Sequence, residues 1–255
     1  MRPIVARSGG KSKLVDIILP LIPDHKIYVE PFVGGGSIFF NKTASEKEVL
    51  NDFDTDLMNV YIDMKAVGDK ITKMDFTPER KKFIRLRDQD KFKNSKDRLY
   101  RNLYVNLNSF RGNNRSFVSE KKVKEIEGSD RGKKYRDLFY FNRLKNTKLA
   151  NKNYVDIIKQ YDSPATFFYL DPPYSDITKN KEYDKDLRDF DLNEMYESLK
   201  NIKGKFLLSY DLKSKAQLKK LFNDKKYKFK VVSTRYETDK KAFEIKEILV
   251  MNYKI

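Results

Sequence analysis

The sequence predicts an α/β fold: a doubly wound open sheet with an antiparallel hairpin at one edge, interrupted by a mainly helical insertion. An apolar run, Ile27-Tyr28-Val29, leads into Val33-Gly34-Gly35-Gly36-Ser37-Ile38-Phe39-Phe40, which spells strand, glycine turn and helix. A second run, Thr166-Phe167-Phe168-Tyr169-Leu170, has the composition of a strand buried on both faces and stops abruptly at Asp171-Pro172-Pro173-Tyr174. Between the two, strand–helix alternation fades into a stretch rich in Lys, Arg and Asn.

In chain order, a turn containing Gly9-Gly10 precedes a helix expected over 13–21. Glu48-Val49-Leu50-Asn51 reads as the next strand, ending in Asp52, and Leu57, Val60, Tyr61 and Met64 follow at helical spacing. This repetition makes the sheet Rossmann-like. Residues 75–150 carry scattered aromatics, among them Tyr100, Tyr104, Phe117, Tyr135 and Tyr140, and read as an inserted helical subdomain. Residues 1–74 and 151–255 are then one catalytic domain, with 75–150 as its insertion. Further strands are expected at 205–209, 228–236 and 247–253. A short charged loop joins the last two into an edge hairpin.

Composition narrows the function classes. With 255 residues, 18 Phe and 16 Tyr the chain can bury a real core, and 36% charged residues exclude a membrane protein. The first residues lack the apolar segment of a secretory signal, so a cytoplasmic protein, or one inside the host cell if viral, is expected and not a secreted one. No cysteine and a single histidine, His25, leave no basis for a zinc site, and no metal is expected. The net charge is +17, and residues 81–150 hold 21 basic against 8 acidic side chains. Such a concentration attracts a polyanion by releasing its counterions, although a solvated lysine-rich surface has the same composition.

Two prolines after a buried strand fix the backbone and withdraw two amide donors, leaving a rigid rim. The rim presents the Asp171 carboxylate and a main-chain carbonyl as acceptors, and Tyr174 offers a face on which a flat ring can stack. In Glu30-Pro31-Phe32-Val33-Gly34-Gly35-Gly36 the glycines permit close backbone approach to a ligand, but Phe39 stands where a dinucleotide fingerprint has its third glycine. Asp52 is spaced to accept from ribose hydroxyls, or else caps the next helix in competition with Asp54 and Asp56. Arg7-Ser8-Gly9-Gly10-Lys11-Ser12 imitates a P-loop, yet Val5 occupies the place of its first glycine, which rejects a nucleotide triphosphatase. Arg7 and Lys11 remain as cations suited to a ligand carboxylate.

In this order of parts the chain resembles the Dam-like, alpha-class (D12) adenine-specific DNA methyltransferases over nearly its whole length. The parts are Gly-Gly-Lys, Glu-Pro-Phe-Val-Gly-Gly-Gly, Asn-Asp, an insertion and Asp-Pro-Pro-Tyr. The resemblance implies a Rossmann-like, S-adenosylmethionine (AdoMet)-dependent sheet and methyl transfer to the exocyclic amino group of an adenine flipped out of duplex DNA. It implies AdoMet contacts at Arg7, Lys11, Phe32, Gly34, Gly35, Gly36, Asp52 and Asp171, and catalysis by Asp171, Pro172, Pro173 and Tyr174. It makes residues 75–150 a target-recognition subdomain in which Phe110, Arg111, Asn113 and Arg115 meet DNA.

Phe110 can wedge into the space of a flipped base and Arg115 can read guanine, whereas an aromatic among apolar neighbours can equally be core. Arg7 stands where family members often carry an aromatic, and Arg111 where an amide is familiar. Expected partners are double-stranded DNA and a cognate restriction nuclease acting separately, with no membrane, and the chain is expected to be a monomer or weak dimer. Two alternatives are methylation of RNA or another amino group, and a DNA-binding homologue that has lost catalysis. Asp171 argues against the first, because such enzymes carry Ser or Asn there; intact Asp52, Asp171 and Tyr174 argue against the second.

Overall fold

The computed structural model describes residues 3–7, 9–126, 131–174, 190–237 and 242–254. Seven strands, β1 (Ile27–Glu30), β2 (Lys47–Asn51), β3 (Lys148–Ala150), β4 (Thr166–Leu170), β5 (Lys205–Asp211), β6 (Lys228–Glu237) and β7 (Ala242–Met251), form one sheet in the order β3-β2-β1-β4-β5-β7-β6. The α-helices described are α1 (Val15–Ile18), α2 (Thr55–Val67), α3 (Arg80–Arg87), α4 (Ser95–Asn108), α5 (Glu120–Glu125), α6 (Lys133–Arg136), α7 (Phe139–Leu144), α8 (Tyr154–Tyr161), α9 (Leu192–Leu199) and α10 (Lys215–Leu221). The chain divides into two compact units, one of residues 13–33, 41–54 and 150–255, the other of residues 1–12, 34–40 and 55–149.

In the first unit β1 runs parallel to β2 and β4, and β4 to β5, while β7 runs antiparallel to both β5 and β6. The fold is the doubly wound sheet with an antiparallel edge hairpin; the loop at 238–241 that joins the hairpin lies outside the described residues. All five residues of β4 are buried, as an unbroken apolar run demands of a central strand. Val29, Phe168, Leu170, Phe206 and Leu208 share a core with Ile157 of α8, Met195 of α9 and Leu218 of α10. Strand order reverses between β1 and β4, and at such a switch point the carboxyl ends of the strands border a crevice that takes ligands.

Two expected helices are shorter than the pattern suggested. Over 13–21 only α1 is α-helical, flanked by 3₁₀ turns at Lys11–Lys13 and Leu19–Leu21, because Pro20 has no amide hydrogen with which to continue the ladder. After Gly36 a single turn closes, from Phe40 N–H to the Gly36 carbonyl at 2.9 Å. Ile38, Phe39 and Phe40 are all buried, and three consecutive inward side chains do not suit a helix with one apolar face.

The second unit is mainly helical. Asn94 caps α4 by accepting the Asp97 N–H at 3.0 Å, and Leu99, Leu103 and Tyr104 of that helix are buried. Asp63 of α2 is fully buried and holds Arg98 of α4 in a two-pronged ion pair at 2.7 and 2.8 Å, a geometry that offsets the cost of burying the charge. Among the described residues no helix is long and apolar enough to cross a membrane.

Candidate active site and recognition turn

At the switch point of the sheet unit, β1 ends at Glu30 and delivers Pro31 and Phe32, while its neighbour β4 ends at Leu170 and delivers Asp171. Asp171, Pro173 and Tyr174 are partly buried and Pro172 is buried. The Tyr174 hydroxyl lies 3.5 Å from Asp171 Oδ1, and its ring packs against Tyr210 of β5 at 5.0 Å between centroids. Burial, together with the carboxylates of Asp171 and Glu247, pushes the Tyr174 phenol well above its usual range, so the ring is neutral. Glu247 on β7 is itself buried and accepts from the Ser209 hydroxyl.

Phe32 sits against Tyr154 at 5.1 Å and Phe190 at 6.1 Å, and Phe190 approaches Tyr210 at 6.2 Å. A row of aromatic rings therefore runs from Phe32 to Tyr174. The Tyr154 hydroxyl is anchored by donating to Glu194 at 2.8 Å.

Asp52 directly follows β2 and is partly exposed; its Oδ1 accepts the Asp54 N–H at 3.1 Å, a turn-forming bond. Asn151 supports the same corner by donating to the carbonyls of Asp52 and Phe53 at 2.8 and 3.0 Å. The Phe53 ring is 46% exposed, too much for a core residue.

In the other unit the glycine turn packs on the chain's own amino-terminal segment. A Cβ on Gly35 would lie 2.6 Å from the Val5 carbonyl, and Ile4 N–H donates to the Gly35 carbonyl at 3.0 Å. The close approach that this glycine permits is thus to residues 3–5, which sequence spacing could not reveal. Gly34 is different: its φ is +50° and nothing lies within 4 Å of a Cβ built on it. Tyr61 holds the turn by donating to the Gly34 carbonyl at 2.8 Å. Lys11 is buried with its ammonium donating to the Gly9 carbonyl at 3.0 Å, and Arg7 is partly buried.

Residues 109–116 form a tight turn closed by Phe110 N–H to the Ser116 carbonyl at 2.7 Å. Phe110 is 52% exposed, which removes the core reading, and the Arg111 guanidinium lies 5.2 Å from the centre of its ring. The side chain of Asn113 belongs to the turn: Oδ1 accepts the amides of Arg115 and Ser116 at 2.9 and 3.1 Å. Arg115 is exposed, with its carbonyl held by Arg87 at 3.1 Å.

Sequence reasoning missed Phe53, Tyr154, Phe190 and Tyr210. Phe53 was detectable as an aromatic flanked by Asp52 and Asp54 just past the end of an apolar strand. The other three are recruited from distant segments and have no local signal.

The sheet and its motif-bearing strand ends define an α/β enzyme of the doubly wound class. A family model described as D12 class N6 adenine-specific DNA methyltransferase matches residues 8–238, and the chain belongs to that family. It is an adenine-specific DNA methyltransferase. The chain is similar to the Type II methyltransferase M.MjaIII of Methanocaldococcus jannaschii, with 27% identity over 99% of both chains. It is similar also to the Type II methyltransferase M1.LlaDCHI of Lactococcus lactis subsp. cremoris, with 25% identity over 99% of this chain and 96% of the relative. To the DNA adenine methylase of Escherichia coli (strain K12) it is 27% identical over 71% of this chain and 68% of the relative.

Proposed function

We propose that the chain methylates the exocyclic amino group of an adenine flipped out of duplex DNA, with AdoMet as methyl donor. The observation that carries this reading is the emergence of Phe32 and Asp171 from adjacent strand ends at the switch point, with the neutral Tyr174 ring three residues beyond Asp171.

The residues present fit AdoMet in chemistry. Gly34 has open space on its side-chain face, the Asp52 carboxylate is partly exposed at the end of β2, and the exposed Phe53 ring is a flat apolar surface for a purine. Taken by itself, the sheet unit offers AdoMet Phe32, Asp52, Phe53 and Asp171; taken by itself, the other unit offers Gly34, Gly35, Gly36, Arg7 and Lys11. Bound AdoMet supplies an electrophilic sulfonium methyl group.

The acceptor amine is poorly nucleophilic because its lone pair is delocalised into the ring. Asp171, and a main-chain carbonyl on the Pro172-Pro173 rim, would accept hydrogen bonds from the two amine protons and favour the pyramidal nitrogen that attack requires. Tyr174 would stack on the flipped base, and the support of its ring by Tyr210 fixes that plane in advance. The 109–116 turn would read the duplex, with Phe110 as wedge, Arg115 at a base edge, Arg111 at a phosphate and Asn113 shaping the loop. Double-stranded DNA is the proposed partner, residues 75–150 the recognition region, and the interior of the cell the site of action of a monomer or weak dimer. A cognate nuclease would act separately.

Asp171→Ala tests the reading. Its rate of methyl transfer from labelled AdoMet to plasmid DNA is expected to fall by a factor of about 10² or more, with the melting temperature little changed, because Asp171 terminates a strand and contributes little to packing. Near-native turnover would refute the assigned role.

A further inference from the structure

One polar side chain fills the inside of the 109–116 turn. Asn106, near the end of α4, is 5% exposed, and every polar atom of its amide is engaged. Oδ1 accepts the Ala6 N–H at 2.8 Å, while Nδ2 donates to the carbonyls of Ala6 and Gly112 at 3.0 and 3.2 Å and to Asn114 Oδ1 at 3.0 Å. The opposite amide orientation would set an NH₂ against the Ala6 N–H and an oxygen against three acceptors, so this orientation is determined by its surroundings.

The turn needs outside support. Arg111 and Asn114 have φ of +52° and +57°; Asn adopts this left-handed region readily, but a long side chain such as Arg111 does so when neighbouring contacts over-determine it. Ser109 supplies part of that support, its hydroxyl accepting Asn114 N–H at 3.1 Å and donating to the Asn106 carbonyl at 3.0 Å. Arg87 holds the Arg115 carbonyl from outside the turn at 3.1 Å, and a further tie comes from Ala6. A Cβ on Gly112 would lie 2.6 Å from both the Ala6 carbonyl and the Ala6 Cβ, so the turn and residue 6 are in direct backbone contact with Asn106 bonded to both.

We infer that Asn106 is a positioning residue for DNA sequence recognition: it ties the 109–116 turn to the backbone of Ala6 and so holds Phe110 and Arg115 in the shape that discriminates bases. This rests on the proposed role of the turn as the DNA reader. Asn106 touches no base itself. Its effect is on the ratio of rates between the correct site and wrong ones, because a loosened turn lets Arg115 settle on mismatched edges that the rigid turn rejects.

The test uses the full chain and initial methylation rates on the mapped recognition duplex and on duplexes with one substituted base pair. Asn106→Asp keeps the acceptor for Ala6 N–H but places a carboxylate oxygen against three acceptors. Asn114→Gly removes one of the four bonds at a position whose φ glycine tolerates. Asn106→Asp is expected to lower the ratio of correct to best-substituted rate about tenfold, and Asn114→Gly about threefold. Phe110→Ala and Arg115→Ala serve as controls, and thermal melting confirms that each variant is folded at the assay temperature. If Arg115→Ala lowers the ratio while folded Asn106→Asp and Asn114→Gly retain it, or lose rate by one factor on every duplex, the positioning role is overturned. If Phe110→Ala and Arg115→Ala both retain the wild-type ratio, the reading of the turn itself fails instead. Should Asn106→Asp not fold, Asn114→Gly decides alone, and an unchanged ratio in it overturns the inference.

Discussion

The side chain of Asn51 donates to the carbonyl of Pro31 at 2.9 Å, joining the ends of β2 and β1. The same amide donates to the Lys152 carbonyl at 3.0 Å and accepts the Lys152 N–H at 2.9 Å, while the Asn51 carbonyl accepts from Val33 N–H at 2.9 Å. Fully buried, Asn51 therefore sets where Phe32 stands and where Asp52 begins. Asn51→Ala strands the Pro31 and Lys152 groups without partners, each at a cost of about 1–3 kcal/mol. The expected result is a lower denaturant midpoint and weaker AdoMet binding in a calorimetric titration. Wild-type values of both would show that water replaces the amide without consequence.

Tyr174 separates ring from hydroxyl. Its ring rests on Tyr210, and its hydroxyl faces the carboxylates of Asp171, at 3.5 Å, and Glu247; because the ring face is what stacks on a base, Tyr174→Phe is expected to retain most of kcat and Tyr174→Ala to lose about 10²-fold or more. Single-turnover rates on a short duplex distinguish the two. Equal losses would assign the essential role to the hydroxyl.

Buried phenols set an alkaline limit to stability. Burial raises the Tyr28, Tyr135, Tyr169 and Tyr174 hydroxyls well above the ordinary value of about 10, helped at Tyr28 by donation to Glu30 at 2.7 Å. Their contribution is fully present below that value. Above it the unfolded chain releases protons that the folded chain retains, so the unfolded state binds fewer protons and stability falls with rising pH. Urea midpoints are expected to be unaffected by these groups from about pH 8 to 9.5 and to drop steeply beyond about 10.5. A flat profile through that upper range would mean that the phenols ionise in the folded protein.

The basic excess in residues 81–150 predicts where salt acts. Lys81, Lys91, Lys93 and Lys96 are exposed, and changing all four to Gln is expected to reduce the slope of log affinity against log salt by about 0.9 for each phosphate that is no longer neutralised. Fluorescence anisotropy with a labelled duplex measures the slope. An unchanged slope would transfer the duplex to the basic region 201–255.

The strands carrying Phe32, Asp52 and Asp171 announce themselves in sequence because buried parallel strands need continuous apolar runs, and the residues that end them are conspicuous. β3 does not, since its three residues, Lys148 to Ala150, are too few to show a period. The truncated helices are invisible to the apolar pattern because Pro20 falls inside the expected span 13–21, and because Ile38, Phe39 and Phe40 fit a helical run by type although all three are buried. Asn113 looked like a base reader by type, and only the hydrogen bonds show its carbonyl committed to the loop. Long-range partners such as Asn51 with Lys152 and Phe32 with Phe190 depend on topology, to which local periodicity is blind.

The ties of the amino-terminal segment bear on how the protein is made. Ala6 is bonded by Asn106, Ile4 accepts from the Tyr135 hydroxyl at 2.9 Å, and Pro3 accepts from Tyr140 at 3.3 Å. None of these partners exists until 100 or more further residues have been translated, so the groups of residues 3–6 that bind them leave the ribosome unmatched. At about 5–20 residues per second that interval lasts many seconds, and the closing loop is long enough to slow the docking step. A ribosome stalled before codon 135 would expose this segment as a handle for chaperones, which crosslinking to arrested nascent chains would detect. Residues 3–6 are made well before their partners and are among the last to reach their places.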